Sequence, residues 1–289
     1  MTLRLLLLFA GLLWSLPGQA QPRLQTTRVA EQAANLARPH DAALSADGKF
    51  LYLTDMANSR IVILEAMTLK TLATFGTGEL SYPHDAEFDA AGRLLVADTG
   101  NDRIAIYEVS GPRARLVGEI GGLAAPEGVA VTADGRVLAT NVRSGTLSVF
   151  REGKLLRTVG QQGERDGEFS HPHDVDVAAD GTIHVVDSGN HRVQVFDASL
   201  AHRASFGPEL QLSGPKYLSL EKDRIWLADE YHHRILLLDH QYRLLGVLGT
   251  GKAGRGANAF NKPEAVVARA PYLWVIDTYN DRVLLLQVR

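Results

Sequence analysis

A proline recurs along this chain at nearly constant spacing, at Pro39, Pro83, Pro126, Pro172, Pro215 and Pro263, with intervals of 44, 43, 46, 43 and 48 residues. Each opens the same passage. A short apolar stretch comes first, followed in four copies by a tight turn: Asp47-Gly48, Ala91-Gly92, Asp134-Gly135 and Asp180-Gly181. A strand-like run then ends in Asp55, Asp98, Asp187, Asp229 or Asp277. Five residues later stands Arg60, Arg103, Arg192, Arg234 or Arg282, and another β-rich run follows each Arg. The third copy departs, with Asn141 for the Asp and Thr146 for the Arg. A period of about 40–50 residues made of short strands and turns is that of a four-stranded propeller blade. Helical repeats do not suit runs so short, so β-branched and so often broken by Gly or Pro.

Six landmarks predict an all-β chain, a single six-bladed β-propeller over residues 21–289. Its blades start near residues 39, 83, 126, 172, 215 and 263. A fourth strand ending near Gly recurs only five times, as TLATFG, RLVGEIG, KLLRTVG, HRASFG and RLLGVLG. The last blade therefore needs a strand from elsewhere, and residues 26–33 are the available candidate. The ring is expected to close with this N-terminal strand as the outer strand of the last blade, which also removes an exposed sheet edge.

Residues 1–20 read as an address. Arg4 precedes an apolar run from Leu5 to Leu16, Pro17 and Gly18 break it, and Ala20 ends a stretch of small residues. This is the pattern of a cleaved secretory signal peptide, and the run is well short of the ~20 residues that a bilayer span needs. A periplasmic or secreted monomer is expected, with no membrane span after cleavage. Thirty Lys and Arg against 33 Asp and Glu leave no bulk positive charge for nucleic acid. The absence of Cys excludes disulfides, thiolate metal sites and cysteine nucleophiles.

Residues repeated in every blade are most simply scaffold. The Asp and Arg pair across a five-residue turn, and Asn58, Asn101, Asn190 and Asn280 suit turn positions. His191, His232 and His233 are expected to face solvent, and His184 to pack within a strand. The informative residues vary between copies. Directly after the landmark prolines come His40, His84, Glu127, His173, Lys216 and Glu264, then Asp41, Asp85, Gly128, Asp174, Tyr217 and Ala265. In a propeller these positions start the innermost strands, at the rim of the central channel. Three imidazoles and two carboxylates converging there, from His40, His84, His173, Glu127 and Glu264, make a candidate divalent-metal site, and zinc takes such donors. Asp41, Asp85 and Asp174 are expected to accept bonds from the imidazoles or to ligate a harder cation such as calcium. The competing account is a water-lined channel in which each Asp bonds a neighbouring loop's backbone.

The units resemble NHL repeats. The fourth copy is the fullest, with Gly160, Gly163, Gly167, Phe169, Pro172, Asp187, Asn190 and Arg192 in the family's places. With the leader-like residues 1–20, this resemblance implies an exported binding platform whose channel-mouth face takes a peptide, saccharide or protein, although the fold itself hosts binding proteins and enzymes alike. The Pro-His-Asp motifs also resemble, at a distance, peptidyl-hydroxyglycine alpha-amidating lyase, a six-bladed NHL-type propeller that holds zinc through Pro-His motifs, with calcium nearby. That resemblance implies a metal-dependent lyase or hydrolase as the alternative function. His40, His84 and His173 would be its zinc ligands, Asp41, Asp85 or Asp174 its Asp, and Tyr231, Tyr279 and Arg143 its catalytic residues at the mouth. The lyase family places its His in alternating blades, whereas here they fall in blades one, two and four.

Overall fold

The protein is described here by a computed structural model covering residues 21–256 and 258–289. The expected signal peptide at residues 1–20 lies outside the described residues. Six antiparallel four-stranded sheets form the ring. The first blade shows the plan, running outward through Pro39–Leu44, Phe50–Asp55, Arg60–Glu65 and Thr71–Phe75. The two middle strands carry the apolar runs seen in the sequence, and their side chains are buried on both faces: Leu51, Leu53, Ile61 and Ile63 have no exposed surface. Such double burial follows from stacking each blade between two neighbours. Leu53, Val62 and Leu64 of the first blade share one core with Trp274, Ile276 and Leu285 of the last. The Trp274 indole N–H satisfies itself across that seam, donating to the Ala66 carbonyl at 2.8 Å.

The ring closes as the strand count requires. Thr26–Gln32 pairs antiparallel with Arg282–Val288, with Thr26 opposite Val288 and Gln32 opposite Val283. The residues just before it make a second attachment for which the sequence carries no signal. The Val247 N–H donates to the Pro22 carbonyl (2.8 Å) and the Leu24 N–H to the Val247 carbonyl (3.1 Å). The N-terminal segment therefore spans the outer edges of the fifth and sixth blades.

Each blade is pinned by the Asp that ends its second strand. One Asp55 oxygen accepts the Ala37 N–H at 2.7 Å, and the other accepts Asn58 Nδ2 (2.9 Å) and Arg60 Nε (2.7 Å). Asp98, Asp187 and Asp277 repeat the set. In the fifth blade His232 Nδ1 takes the place of the Asn, 3.0 Å from Asp229, so this His is a structural partner and not merely a solvent-facing turn residue. In the third blade the pin is neutral. Asn141 Oδ1 accepts the Ala124 N–H at 2.9 Å while its amide donates to Ser148 Oγ at 2.9 Å.

The seams carry a further bond. The residue before each landmark Pro is left-handed: Arg38, Tyr82, Ala125, His171, Gly214 and Lys262 all have φ between 47° and 61°. Five of their N–H groups donate to the side chain that closes the preceding blade's turn. Tyr82 bonds Ser59 Oγ (3.2 Å), Ala125 bonds Asp102 (2.7 Å) and Arg38 bonds Asp281 (2.8 Å). Gly214 and Lys262 bond the Nδ1 atoms of His191 and His233, each at 3.0 Å. His191 is exposed, as expected, and His233 is half-buried; both imidazoles serve in addition as blade-to-blade acceptors.

The pin can be tested where its charges are buried. Arg192→Ala strands the Asp187 carboxylate without its counter-ion and is expected to cost about 3–5 kcal/mol. Replacing both partners by the third blade's pair, Asp187→Asn with Arg192→Thr, is expected to cost less in urea unfolding. A double variant no more stable than the single one contradicts this account.

Candidate functional site

The innermost strands begin at the landmark prolines, so the residue after each Pro points toward the axis at one end of the channel. His40, His173 and Glu264 are buried there, and one donor atom from each lies within 4.8 Å of the other two. The ring centroids of His40 and His84 are 4.3 Å apart, those of His40 and His173 are 5.8 Å apart, and those of His84 and His173 are 6.3 Å apart. His40 Nδ1 stands 2.7 Å from Glu264 Oε2, His173 Nε2 3.3 Å from Glu127 Oε2 and His84 Nε2 3.6 Å from Glu127 Oε1. His40 and Glu264 attract one another at this distance, whereas the two Glu127 approaches are longer than a usual hydrogen bond, and none of the three has the alignment of a regular one. His40 Nδ1, Glu264 Oε2, Glu127 Oε2 and His173 Nδ1 are all buried without a hydrogen-bond partner. An unpaired buried polar atom costs about 1–3 kcal/mol, and four at one place suit donors arranged around a shared cation.

Electrostatics favour that use. Burial, and then the nearby Lys216 charge, push the His173 imidazole well below its ordinary value. Burial and the facing His40 do the same to His84. Both rings are thus neutral near pH 7, as a metal ligand must be. His84 is further oriented, since its Nδ1 lies 2.8 Å from the Tyr82 carbonyl and donates to it. That leaves Nε2 unprotonated on the Glu127 side. Burial raises Glu127 to about 7 against the opposing attraction of Lys216 and His40. For Glu264 burial also acts upward, but His40 and Lys216 outweigh it and the net shift is down. Lys216 itself is placed 3.6 Å from Glu230 Oε2.

Asp41, Asp85 and Asp174 lie one residue deeper and form a separate tier. Among the described residues none accepts a bond from an imidazole. Asp85 Oδ2 accepts the Val129 N–H at 2.6 Å and Asp174 Oδ2 the Leu218 N–H at 2.9 Å, each reaching the next blade's inner strand. Asp41 shares a hydrogen bond with Asp85. Asp85 and Asp174 therefore bond a neighbouring blade's backbone, near the competing account read from the sequence but on its inner strand, while Asp41 bonds Asp85. Between the tiers lies Tyr217. Its hydroxyl crosses to the Glu127 carbonyl (3.1 Å), and its ring meets His173 edge-on at 4.8 Å. It forms a floor under the imidazoles. The only hint in the sequence is the break in the Asp pattern at the fifth copy.

Tyr231, Tyr279 and Arg143 are not drawn into the cluster. Arg143 pairs with Asp102 at 3.2 Å in an exposed turn. The two tyrosines stand at the rim around Lys262, whose ammonium lies 4.6 Å from the Tyr231 ring centroid and 4.7 Å from that of Tyr279. The sequence reading missed Lys262 and Arg38, although both sit in a constant place, one residue before a landmark Pro.

Below Tyr217 the channel widens into a cavity of about 310 Å3 that includes Asp41, Asp85, Glu87, Asp174 and Asp176 in its wall. Burial, and then the charge of Asp176, raise Glu87 to about 8, and burial raises Asp176 to about 6. A carboxyl raised in the folded state stabilises the fold fully below its unfolded value and loses that contribution as pH climbs through the folded value. For Glu87 the window runs from 4.5 to about 8. Calorimetry of Glu87→Gln is expected to show a shallower loss of Tm than the parent across this window. Glu87 keeps surface exposed to the channel, so parallel profiles would rule out the desolvated, protonated state of its carboxyl.

The NHL repeat profile matches residues 169–196. Among solved structures the chain is similar to a streptogramin B lyase, with TM-score 0.66 and 10% identity over 92% of this chain and 98% of that one. It is also similar to an auxiliary nutrient binding protein from Bacteroides ovatus, with TM-score 0.71 and 14% identity over 93% and 78% of the two chains. A third, a protein of unknown function from Bacteroides thetaiotaomicron, gives TM-score 0.74 and 12% identity over 93% and 73%. At such identities the likeness concerns architecture, and it agrees with the six sheets: the chain is a six-bladed β-propeller that carries a match to the NHL repeat at residues 169–196.

Proposed function

We propose that this is an exported ligand-binding propeller whose site is the channel mouth, centred on a divalent cation held by His40, His173 and Glu264. The observation that carries the reading is the convergence of one donor atom each from His40, His173 and Glu264 within 4.8 Å of one another, where buried polar atoms of these side chains lack aligned hydrogen-bond partners. Two imidazoles and a carboxylate are a common zinc donor set that leaves a position for a ligand oxygen. When bound, zinc would supply Lewis-acid polarisation of that oxygen. The protein's own contributions are separate. His84 and Glu127 stand beside the cluster, Lys216 offsets carboxylate charge, and Tyr217 closes the site off from the channel below. Calcium on the Asp tier is not part of the reading, because Asp85 and Asp174 each bond a backbone N–H. The leader-like residues 1–20 support export, and the nutrient-binding neighbour is in keeping with a binding role.

The cluster of imidazoles from Pro-His motifs also favours a second reading, a metal-dependent lyase, and one of the neighbours is itself a lyase. One set of measurements separates the outcomes. Titration of metal-free protein with Zn2+ is expected to show one equivalent bound, with about 2.7 kcal/mol of added stability at a hundredfold excess over Kd. Neither is expected in His40→Ala or Glu264→Gln. Parent protein that takes up no stoichiometric metal would defeat the metal centre. Turnover of hydroxyglycine-ended peptides by the loaded parent, lost in His40→Ala, would move the reading to the lyase.

A further inference from the structure

We infer that the ligand carries a single carboxylate, gripped by Arg38 on the rim at the seam between the last and first blades, with its body lying against Tyr279 and Tyr231. The inference deepens the proposed binding role and rests on the mouth being the site, though not on the identity of the metal.

The chain places two cations at one spot. Arg38-Pro39-His40 and Lys262-Pro263-Glu264 are equivalent tripeptides of adjacent blades. His40 and Glu264 are the pair that meet at 2.7 Å in the cluster. Arg38 and Lys262 therefore stand two residues outside that pair. The left-handed backbone at both positions, φ 49° and 47°, is held by hydrogen bonds from their N–H groups to Asp281 and His233. A non-glycine residue there is disfavoured and persists only where its surroundings fix it.

The two cations are not equivalent. Lys262 is already engaged, 3.3 Å from Glu230 Oε1. Arg38 is exposed, and among the described residues its guanidinium makes no hydrogen bond or salt bridge. Its Cζ lies 4.0 Å from the Tyr279 ring centroid. Stacking on an aromatic ring leaves the N–H edge of a guanidinium open, and that edge matches a carboxylate bidentately. One free cation suits a monoanion. The Glu264 carboxylate near Arg38 and the Glu230 carboxylate at Lys262 oppose a dianion such as phosphate. Tyr231, half exposed beside Lys262, extends the aromatic surface past Tyr279. An apolar or planar body adjoining the carboxylate would lie there, in the way that exposed tyrosines serve recognition surfaces.

The test uses phenylacetate and its neutral counterpart phenylacetamide as probes, titrated calorimetrically into the full protein with and without Zn2+. Phenylacetate is expected to bind at least about tenfold more tightly than the amide, a difference of about 1.4 kcal/mol. Arg38→Gln is expected to erase that preference while leaving Zn2+ uptake and the melting profile unchanged, and Arg38→Lys to restore part of it. Equal binding of the two probes, absence of phenylacetate binding, or a carboxylate preference that survives in folded Arg38→Gln would each overturn the proposal. If the protein takes up no Zn2+ yet prefers the carboxylate through Arg38, the rim assignment stands and the metal reading alone fails.

Discussion

A carboxylate in a dry interior needs partners, and this fold uses that need to set its geometry. Each blade but the third buries an Asp at the end of its second strand. That Asp gathers a backbone N–H, an Asn or His, and an Arg. The bonded N–H always belongs to the residue two before the landmark Pro: Ala37, Ser81, Ser170, Ser213 and Asn261. Three residues later comes the side chain that points into the channel. The buried charge thus fixes the approach of each inner strand, and through it the height at which each imidazole or carboxylate enters the mouth. Removing one partner is costly for the reason that makes the arrangement specific: the remaining charge has nowhere to go.

How much could be read from the chain follows from the range of each interaction. Blade number, strand order and closure by the N-terminal strand were legible because they rest on local periodicity and on counting strands. That the residues after the landmark prolines meet at one ring was legible because symmetry carries one register position there, but which of them draw closest, His40, His173 and Glu264, was not. What escaped depends on contacts across seams. His191 and His233 look like turn residues in sequence, yet each accepts a bond from the following blade. Tyr217 looks like a lapse in a pattern, yet it spans the axis. Arg38 and Lys262 hold a constant place before proline, but only the curvature of the ring brings them over the same tyrosine.

The mouth is also nearly self-neutralising. Lys216 and Lys262 face Glu230, Glu127 and Glu264, so a region crowded with ionisable groups carries little net charge. Selectivity at such a place comes from where individual charges are left uncommitted and not from a long-range field. The deeper tier works differently. Its carboxyls are held close together by the inner strands, and burial keeps protons on some of them at values where an exposed carboxyl would have lost its own.

The pairing of Thr26–Gln32 with Arg282–Val288 joins stretches separated in sequence by five whole blades. No wheel can lock until its final spoke has emerged, and until then the opening segment has no partner to zip onto. Contacts of such sequence separation form slowly. Until that latch closes, Arg282–Val288 presents an unpaired sheet edge, so the step that makes the ring rigid is also the step that hides its last sticky border.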